Sequence, residues 1–176
     1  MAASIPFIKM HGLGNDFVVI DDLRKDSQTS LNAKLAQKIC DRRFGIGADQ
    51  ILWLKRSENA DCRMEILNSD GSSAEMCGNG IRAVALYLQK YGDRPSLLKY
   101  VVDTEGGEKT LTIEGDLVNV DMGIPRLGSV FKSGEQIGIE DQSFSFHEVG
   151  MGNPHAVIFV EKVSEVPLEL WGRAIE

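Results

Sequence analysis

The sequence is poor in the residues that build covalent or metal-bound frameworks. Its three cysteines, Cys40, Cys62 and Cys77, form no C-x-x-C pair and have only three histidines beside them. Neither a disulfide scaffold nor a metal site is expected, and a reducing compartment suits the thiols. Long apolar runs are missing as well. Nothing approaches the ~20 residues of a membrane span, and "MAASIPFIKMHG" lacks the apolar stretch of a signal peptide. A cytoplasmic protein without membrane contact is the expectation. Basic excess is also absent: 19 Lys and Arg stand against 26 Asp and Glu, a net charge of -7. That argues against nucleic acid as a partner, because phosphate binding needs a basic face. What is present is a 43% hydrophobic fraction in 176 residues, enough for the core of one large domain or two small ones.

Short apolar strands dominate the pattern. "IPFIKM" and "DFVVID" flank the loop "HGLGN", and the second is apolar enough to be buried on both faces. Ser30 reads as the N-cap of a helix striped by Leu31, Leu35, Ala36, Ile39 and Cys40 and ending near Gly45. Strands follow at 50–55 and 62–68. From Ile81, positions 81, 84, 85 and 88 predict a helix stopped by Gly92 and Pro95. Its apolar run, Ala83 to Leu88, is unbroken, so this helix is expected to be surrounded rather than laid on a surface. Strands are predicted near 98–104, 108–114 and 117–122, the last two joined by a hairpin turn at Gly115-Asp116. The Gly-, Ser- and Pro-bearing segment 123–142 reads as a linker and the start of a second domain. Strands at 143–148 and 155–160 and a helix from about Leu168 complete that domain as far as the chain goes. The organisation expected is therefore a domain over 1–122, a connection over 123–142 and an incomplete domain over 143–176, in an α+β fold.

Two segments repeat. "GLGNDFVVI" (12–20) and "GMGNPHAVI" (150–158) share G-x-G-N and an apolar strand after it, with Asn15 and Asn153 at the same point. A second copy of the first domain would begin near 150, and its counterpart of Cys77 would lie beyond Glu176.

The chemistry concentrates in "EMCGNGIRA", Glu75 to Ala83, where a cysteine stands at the edge of the apolar run instead of inside it. A helix N-terminus leaves backbone N–H groups unpaired and partially positive. Gly78 and Gly80 leave those amides open to an anion such as an amino-acid carboxylate, and the same field favours a thiolate on Cys77. The bland alternative is a small residue in a glycine turn. The G-x-G pairs also invite a nucleotide reading, but none continues as a dinucleotide fingerprint or a phosphate loop.

"MHGLGNDFVVID", "GIGADQIL", "NSDGSSAEMCGNGIRA" and "GMGNPHAVIFV" together closely resemble the N-terminal part of the diaminopimelate epimerases, from about Lys9 onward. Proline racemases and phenazine-biosynthesis isomerases share that family's fold but typically carry His where this chain has Asn79. The resemblance implies two similar α+β domains, each a curved, antiparallel-rich sheet around a central helix, the second incomplete in this chain. It implies a cofactor-independent isomerase of lysine biosynthesis that interconverts LL- and meso-diaminopimelate, one cysteine removing the Cα proton and another returning one to the opposite face. A small-molecule substrate is implied, and a homodimer is allowed for. On this resemblance Cys77 is one acid/base cysteine, and Gly78 and Asn79 offer amides to a carboxylate. Asn15, Gln50, Asn68 and Asn153 match polar substrate contacts, and His155 matches a histidine that tunes the cysteine pair. Each has a plainer reading. Asn15 and Asn153 suit turns, Gln50 a solvated strand start, Asn68 an Asx turn, and His155 a core position. His11, His147, Met76, Tyr87 and Tyr91 read as structural, and Asp49 as a residue orienting its loop. The family's later C-G-[ST]-G segment has no match here, since Cys40 lies on a helix stripe and Cys62 on a strand. A truncated or split form with little activity of its own is the expectation. The alternatives are a related isomerase acting on a smaller amino acid and a non-catalytic amino-acid binder.

Overall fold

A computed structural model of the chain describes residues 4–23, 30–127, 136–139 and 142–175. The elements fall into two compact units, Met1–Met122 and Gly123–Glu176. The first holds β1 (Ile8–Gly12), β2 (Asn15–Asp21), α1 (Ala33–Cys40), β3 (Gln50–Lys55), β4 (Cys62–Asn68), β5 (Ser73–Ala74), α2 (Gly78–Tyr91), β6 (Lys99–Asp103), β7 (Lys109–Glu114) and β8 (Leu117–Asp121). The second holds β9 (Arg126–Leu127), β10 (Gln136–Ile139), β11 (Gln142–Ser145), β12 (His147–Gly150), β13 (Pro154–Val157), a 3-10 turn at Val163–Glu165 and α3 (Leu168–Ile175).

In the first unit the strands run in the order β1-β2-β3-β4-β6-β7-β8, with β5 paired to β4. Neighbours are antiparallel except β2 with β3 and β4 with β6. Parallel neighbours need a crossover, and α1 and α2 supply the two. α2 packs against β1 and β8, the strands at opposite ends of the sheet, and against β2 and β7. A sheet whose two edges touch one helix must curl around it. The apolar run requires this: Ile81, Ala83, Val84, Ala85, Tyr87 and Leu88 are all buried, in one cluster with Phe17, Val19, Leu52, Leu54, Met64 and Leu111, whereas Leu86 of the same run is exposed and the helix is not surrounded on that face. The alternate residues Val18, Ile20, Ile51 and Trp53 face the other way and pack with Ala36 and Cys40 of α1. β2 and β3 are thus buried on both faces, which is why they read as unbroken apolar runs.

Several boundaries differ from the sequence reading. The N-cap of α1 is Asn32, whose Oδ1 accepts the Leu35 N–H at 2.9 Å, and not Ser30. α1 stops at Cys40, where Asp41 Oδ1 takes the Arg43 and Phe44 N–H groups into a turn. α2 begins at Gly78, three residues before the predicted Ile81. β1 starts at Ile8, beyond Pro6, which has no N–H for a ladder. The hairpin at Gly115 is present, with Glu114 opposite Leu117 and Gly115 at φ 61°.

In the second unit the strand expected over 143–148 is two. β11 pairs with β10, whereas β12 pairs with β13 and β9, so the chain changes partner at Phe146. β13 accordingly ends at Val157, when the four residues of β12 are used up. β9 and β10 lie within the segment read as a linker, of which 128–135 and 140–141 fall outside the described residues. α3 stacks Trp171 on Phe144, with ring centroids 4.7 Å apart. It borders an apolar trough of about 760 Å³ lined by Phe146, Ile158, Val163 and Ile175 among others.

An ion cluster ties β1 and β2 to the loop before β3. Arg42 donates through Nη2 to Asp16 Oδ1 at 2.8 Å and to Asp49 Oδ1 at 2.7 Å, and Lys9 Nζ donates to Asp16 Oδ2 at 2.7 Å. The Asp16 N–H donates to Asp49 Oδ2 at 3.1 Å and the Asp49 N–H returns a bond to Asp16 Oδ1 at 3.0 Å. Arg42, assisted by Lys9, holds the Asp16 carboxyl well below the ordinary aspartate range, against the opposing effect of burial.

Two measurements test this frame. A side chain at Gly71, φ 86°, would meet Ala33 Cβ and O at 2.7 Å, whereas one at Gly115 meets nothing within 4 Å. Gly115→Ala is expected to cost about 1–2 kcal/mol for the left-handed backbone alone. Gly71→Ala should cost clearly more by urea unfolding, and equal costs would refute the close packing on α1. Because the Asp16 carboxyl is depressed, its stabilisation is present above the ordinary aspartate value of ~4 and is lost as pH falls toward its folded value. Wild type should therefore exceed Arg42→Ala in urea midpoint most at about pH 7, with the gap narrowing by about pH 3. A gap independent of pH would refute the pairing.

Candidate active site

Cys77 lies just after β5, anchored by the buried Met76. It has extended backbone, φ -139° and ψ 108°, and is the N-cap of α2. Its Sγ accepts the Gly80 N–H at 3.3 Å, in the manner of the oxygen of a capping Ser or Asn, and its carbonyl accepts the Ile81 N–H at 2.9 Å. Gly80 fits this turn because the space beside it is filled by Leu52. A side chain there would stand 3.0 Å from Leu52 Cδ2 and 3.4 Å from Cys77 Sγ. These bonds occupy two amides of the first turn and leave those of Gly78 and Asn79 outside them. A half-exposed thiol and two amides thus share the positive end of a 14-residue helix.

The polar residues arrive from the sheet. β2 and β3 are parallel and β4 antiparallel to β3, so the start of β2, the start of β3 and the end of β4 share one edge. Those positions are Asn15, Gln50 and Asn68. Asn15 Nδ2 points to Cys77 Sγ at 3.8 Å. Gln50 and Asn68 face each other across the ladder, Gln50 Nε2 donating to Asn68 Oδ1 at 2.8 Å, while Asn68 Nδ2 donates to Ser72 Oγ at 2.9 Å. Two acceptors at this edge, Asn15 Oδ1 and Gln50 Oε1, are buried without a hydrogen-bond partner among the described residues. Buried amide oxygens left unpaired carry a desolvation cost, which a donor group on a bound molecule would relieve.

The ion cluster flanks this edge, because Asp16 follows Asn15 and Asp49 precedes Gln50. It fixes the two backbones that carry the amide side chains, and Asp49 is the orienting residue of its loop. Lys9, Asp16 and Arg42 were not singled out by sequence reasoning. For Asp16 a signal was available, a charge directly beside Asn15 in a segment otherwise apolar; Lys9 and Arg42 stand beside none of the candidate residues. Arg82 was missed as well; its Nη2 donates to Asn79 Oδ1.

The other thiols are sealed away. Cys62 is fully buried and pushed up to about 12, mainly by burial and further by Asp21 and Asp103. Burial also raises Cys40. Asn153 and His155 belong to the second unit, at the β12–β13 turn, where His155 Nε2 lies 3.1 Å from Asn153 Oδ1. His155 is exposed there and not a core residue. The structure therefore joins Asn15 to Cys77, Gln50 to Asn68, and Asn153 to His155.

A family model described as diaminopimelate epimerase matches residues 7–128. The diaminopimelate epimerase of Carboxydothermus hydrogenoformans is 49% identical over 97% of this chain and 65% of its own length. That of Desulfitobacterium hafniense is 44% identical over 96% and 65%, and that of Gloeothece citriformis 41% identical over 98% and 66%. The chain spans about two thirds of the length of these curated relatives. Among solved structures, a probable proline racemase from Agrobacterium radiobacter K84 superposes with a TM-score of 0.68 at 14% identity, covering 93% of this chain and 54% of that one. A hydroxyproline epimerase from Agrobacterium vitis gives 0.66 at 14%, over 91% and 53%. These two likenesses carry the fold alone, an α+β curled sheet around a helix. Sequence identity over nearly the whole chain carries more: the chain belongs to the diaminopimelate epimerase family.

Proposed function

We propose that this chain supplies one proton-transfer site of a cofactor-independent diaminopimelate epimerase, interconverting the LL and meso forms in the cytoplasm. The observation that supports it most is the thiol of Cys77 at the N-cap of α2, half-exposed beside the Gly78 and Asn79 amides. The substrate carboxylate lies on those amides, which brings its Cα hydrogen to Cys77. As the thiolate Sγ takes the proton, the C–H electron pair moves into the carboxylate, and the amides stabilise the added negative charge. Asn15 Oδ1 and Gln50 Oε1, buried and unpartnered among the described residues, accept N–H bonds from an ammonium group of the zwitterion, with Asn68 holding Gln50.

Inversion needs a second group on the opposite face of Cα. Cys40 and Cys62 are buried, at 3% and 0% exposure, so neither serves it, and Cys77 exchanges the proton on one face only.

Two experiments follow. Iodoacetamide should label the native chain once, at Cys77, with Cys40 and Cys62 reacting only in denaturant; comparable native rates at either would remove the distinction on which the assignment rests. With LL-diaminopimelate in D2O, the chain should introduce deuterium at Cα, and Cys77→Ala should lose at least about a hundredfold in rate. Uptake unaffected by Cys77→Ala would rule Cys77 out as the base.

A further inference from the structure

Arg82 stands where a helix disfavours positive charge. It lies one turn into α2, half-buried, at the end that carries the partial positive charge of the backbone. Of the other arginines in this unit, Arg42, Arg63 and Arg94 each pair with an aspartate, and Arg56 donates to the Leu23 carbonyl. For Arg82 no carboxylate among the described residues does so. Its Nη2 donates instead to the side-chain oxygen of Asn79. Its Nη1 borders the open space beside Gly78, 4.0 Å from where a β-carbon would stand. An unpaired guanidinium is thus held against the two residues whose amides remain outside the cap.

We propose that Arg82 is a positioning residue for the substrate carboxylate: it fixes the Asn79 side chain and adds a full positive charge beside Gly78. This rests on the reading of Gly78 and Asn79 as the carboxylate cradle. A cation disfavoured by the empty helix end is offset once an anion binds there. As the Cα proton leaves, negative charge builds on the carboxylate, so a fixed cation stabilises the transition state more than the bound substrate. Arginine suits the task because its planar fork holds Asn79 with one nitrogen and leaves the other at Gly78.

Two thiol reagents separate this role from a structural one. Iodoacetate and iodoacetamide are attacked by the same Cys77 thiolate; an S–C bond forms, the C–I bond breaks and iodide leaves. Only iodoacetate carries a carboxylate on the reacting carbon, as an α-amino acid does on Cα. The ratio of their rates at Cys77, followed by peptide mass spectrometry on the full chain, cancels the ionised fraction of the thiol and reports the charge met by the carboxylate. Relative to glutathione, wild type should favour iodoacetate. Arg82→Met should lower the ratio roughly three- to tenfold, and Arg82→Lys, which keeps the charge, should retain at least half of it. Arg82→Gln serves in place of Arg82→Met if that variant does not fold. A neutral variant with the wild-type ratio, whether both rates hold or fall together, makes Arg82 structural and overturns the proposal. So does a lysine variant with a ratio as low as the neutral one. A wild-type ratio equal to that of glutathione refutes the carboxylate cradle itself, whereas a raised ratio that Arg82→Met leaves intact refutes only the role of Arg82.

Discussion

The burial of α2 over more than half of its circumference, with Leu86 and Lys90 left exposed, is the constraint from which the rest of the first unit follows. A helix with Ile81, Ala83, Val84, Ala85, Tyr87 and Leu88 all buried has no single apolar stripe to lay on a flat sheet. The sheet closes around it instead, touching it with both edge strands. The helix then meets solvent along the one face that carries Leu86 and Lys90 and at its ends. The start of α2 emerges beside Asn15, whose amide reaches Cys77, and at the strand edge that carries Gln50 and Asn68. The unpaired amides of the first turn and the half-exposed thiol are therefore direct consequences of packing the middle of the helix.

Placing polar side chains at that edge requires backbones that do not shift, and hydrophobic packing is a poor guide for the first residue of a strand. The Arg42–Asp16–Asp49 cluster supplies the missing constraint. It binds the residue after Asn15 to the residue before Gln50 through reciprocal backbone-to-carboxylate bonds as well as through charge. Surface ion pairs are individually weak. This one is a network of two carboxylates, a guanidinium, an ammonium and two backbone amides, and Asp16 is four-fifths shielded. Its consequence is positional more than energetic.

What was legible in the sequence depended on whether the signal was local. β3 and β4 were placed to the residue, because continuous or alternating apolar residues mark both their faces and their limits. The largely enclosed character of α2 was legible for the same reason. Its first turn was not, because glycine at 78 and 80 suggests a loop and a cysteine seldom caps a helix; only the bond from Gly80 to Sγ reveals that the helix already includes them. β5 is two residues long and leaves no period to detect. The parallel pairs β2–β3 and β4–β6 join segments separated by whole helices, and their pairing is a tertiary fact. Of the site, Cys77, Asn15, Gln50 and Asn68 were visible as motif residues. The charges that hold them were not, because Arg42 and Asp16 are neighbours only once α1 has folded back along β2.

The three cysteines show what separates an accessible, hydrogen-bonded thiol from a sealed one within one unit. Cys62 sits in β4 under α2, and burial with two nearby carboxylates pushes its thiol up to about 12. Cys40 closes α1 and is likewise raised by burial. Neither can hold a negative charge at neutral pH, so a strand or helix-stripe cysteine is chemically a small apolar residue here. Cys77 differs in two respects that come together only at a cap: it is accessible, and a backbone N–H is aimed at its sulfur. A core position gives neither and a loop gives only the first. The edge of the apolar run thus gives a cysteine on α2 both exposure and a hydrogen-bond donor, and glycine at position 80 keeps that turn clear of Leu52.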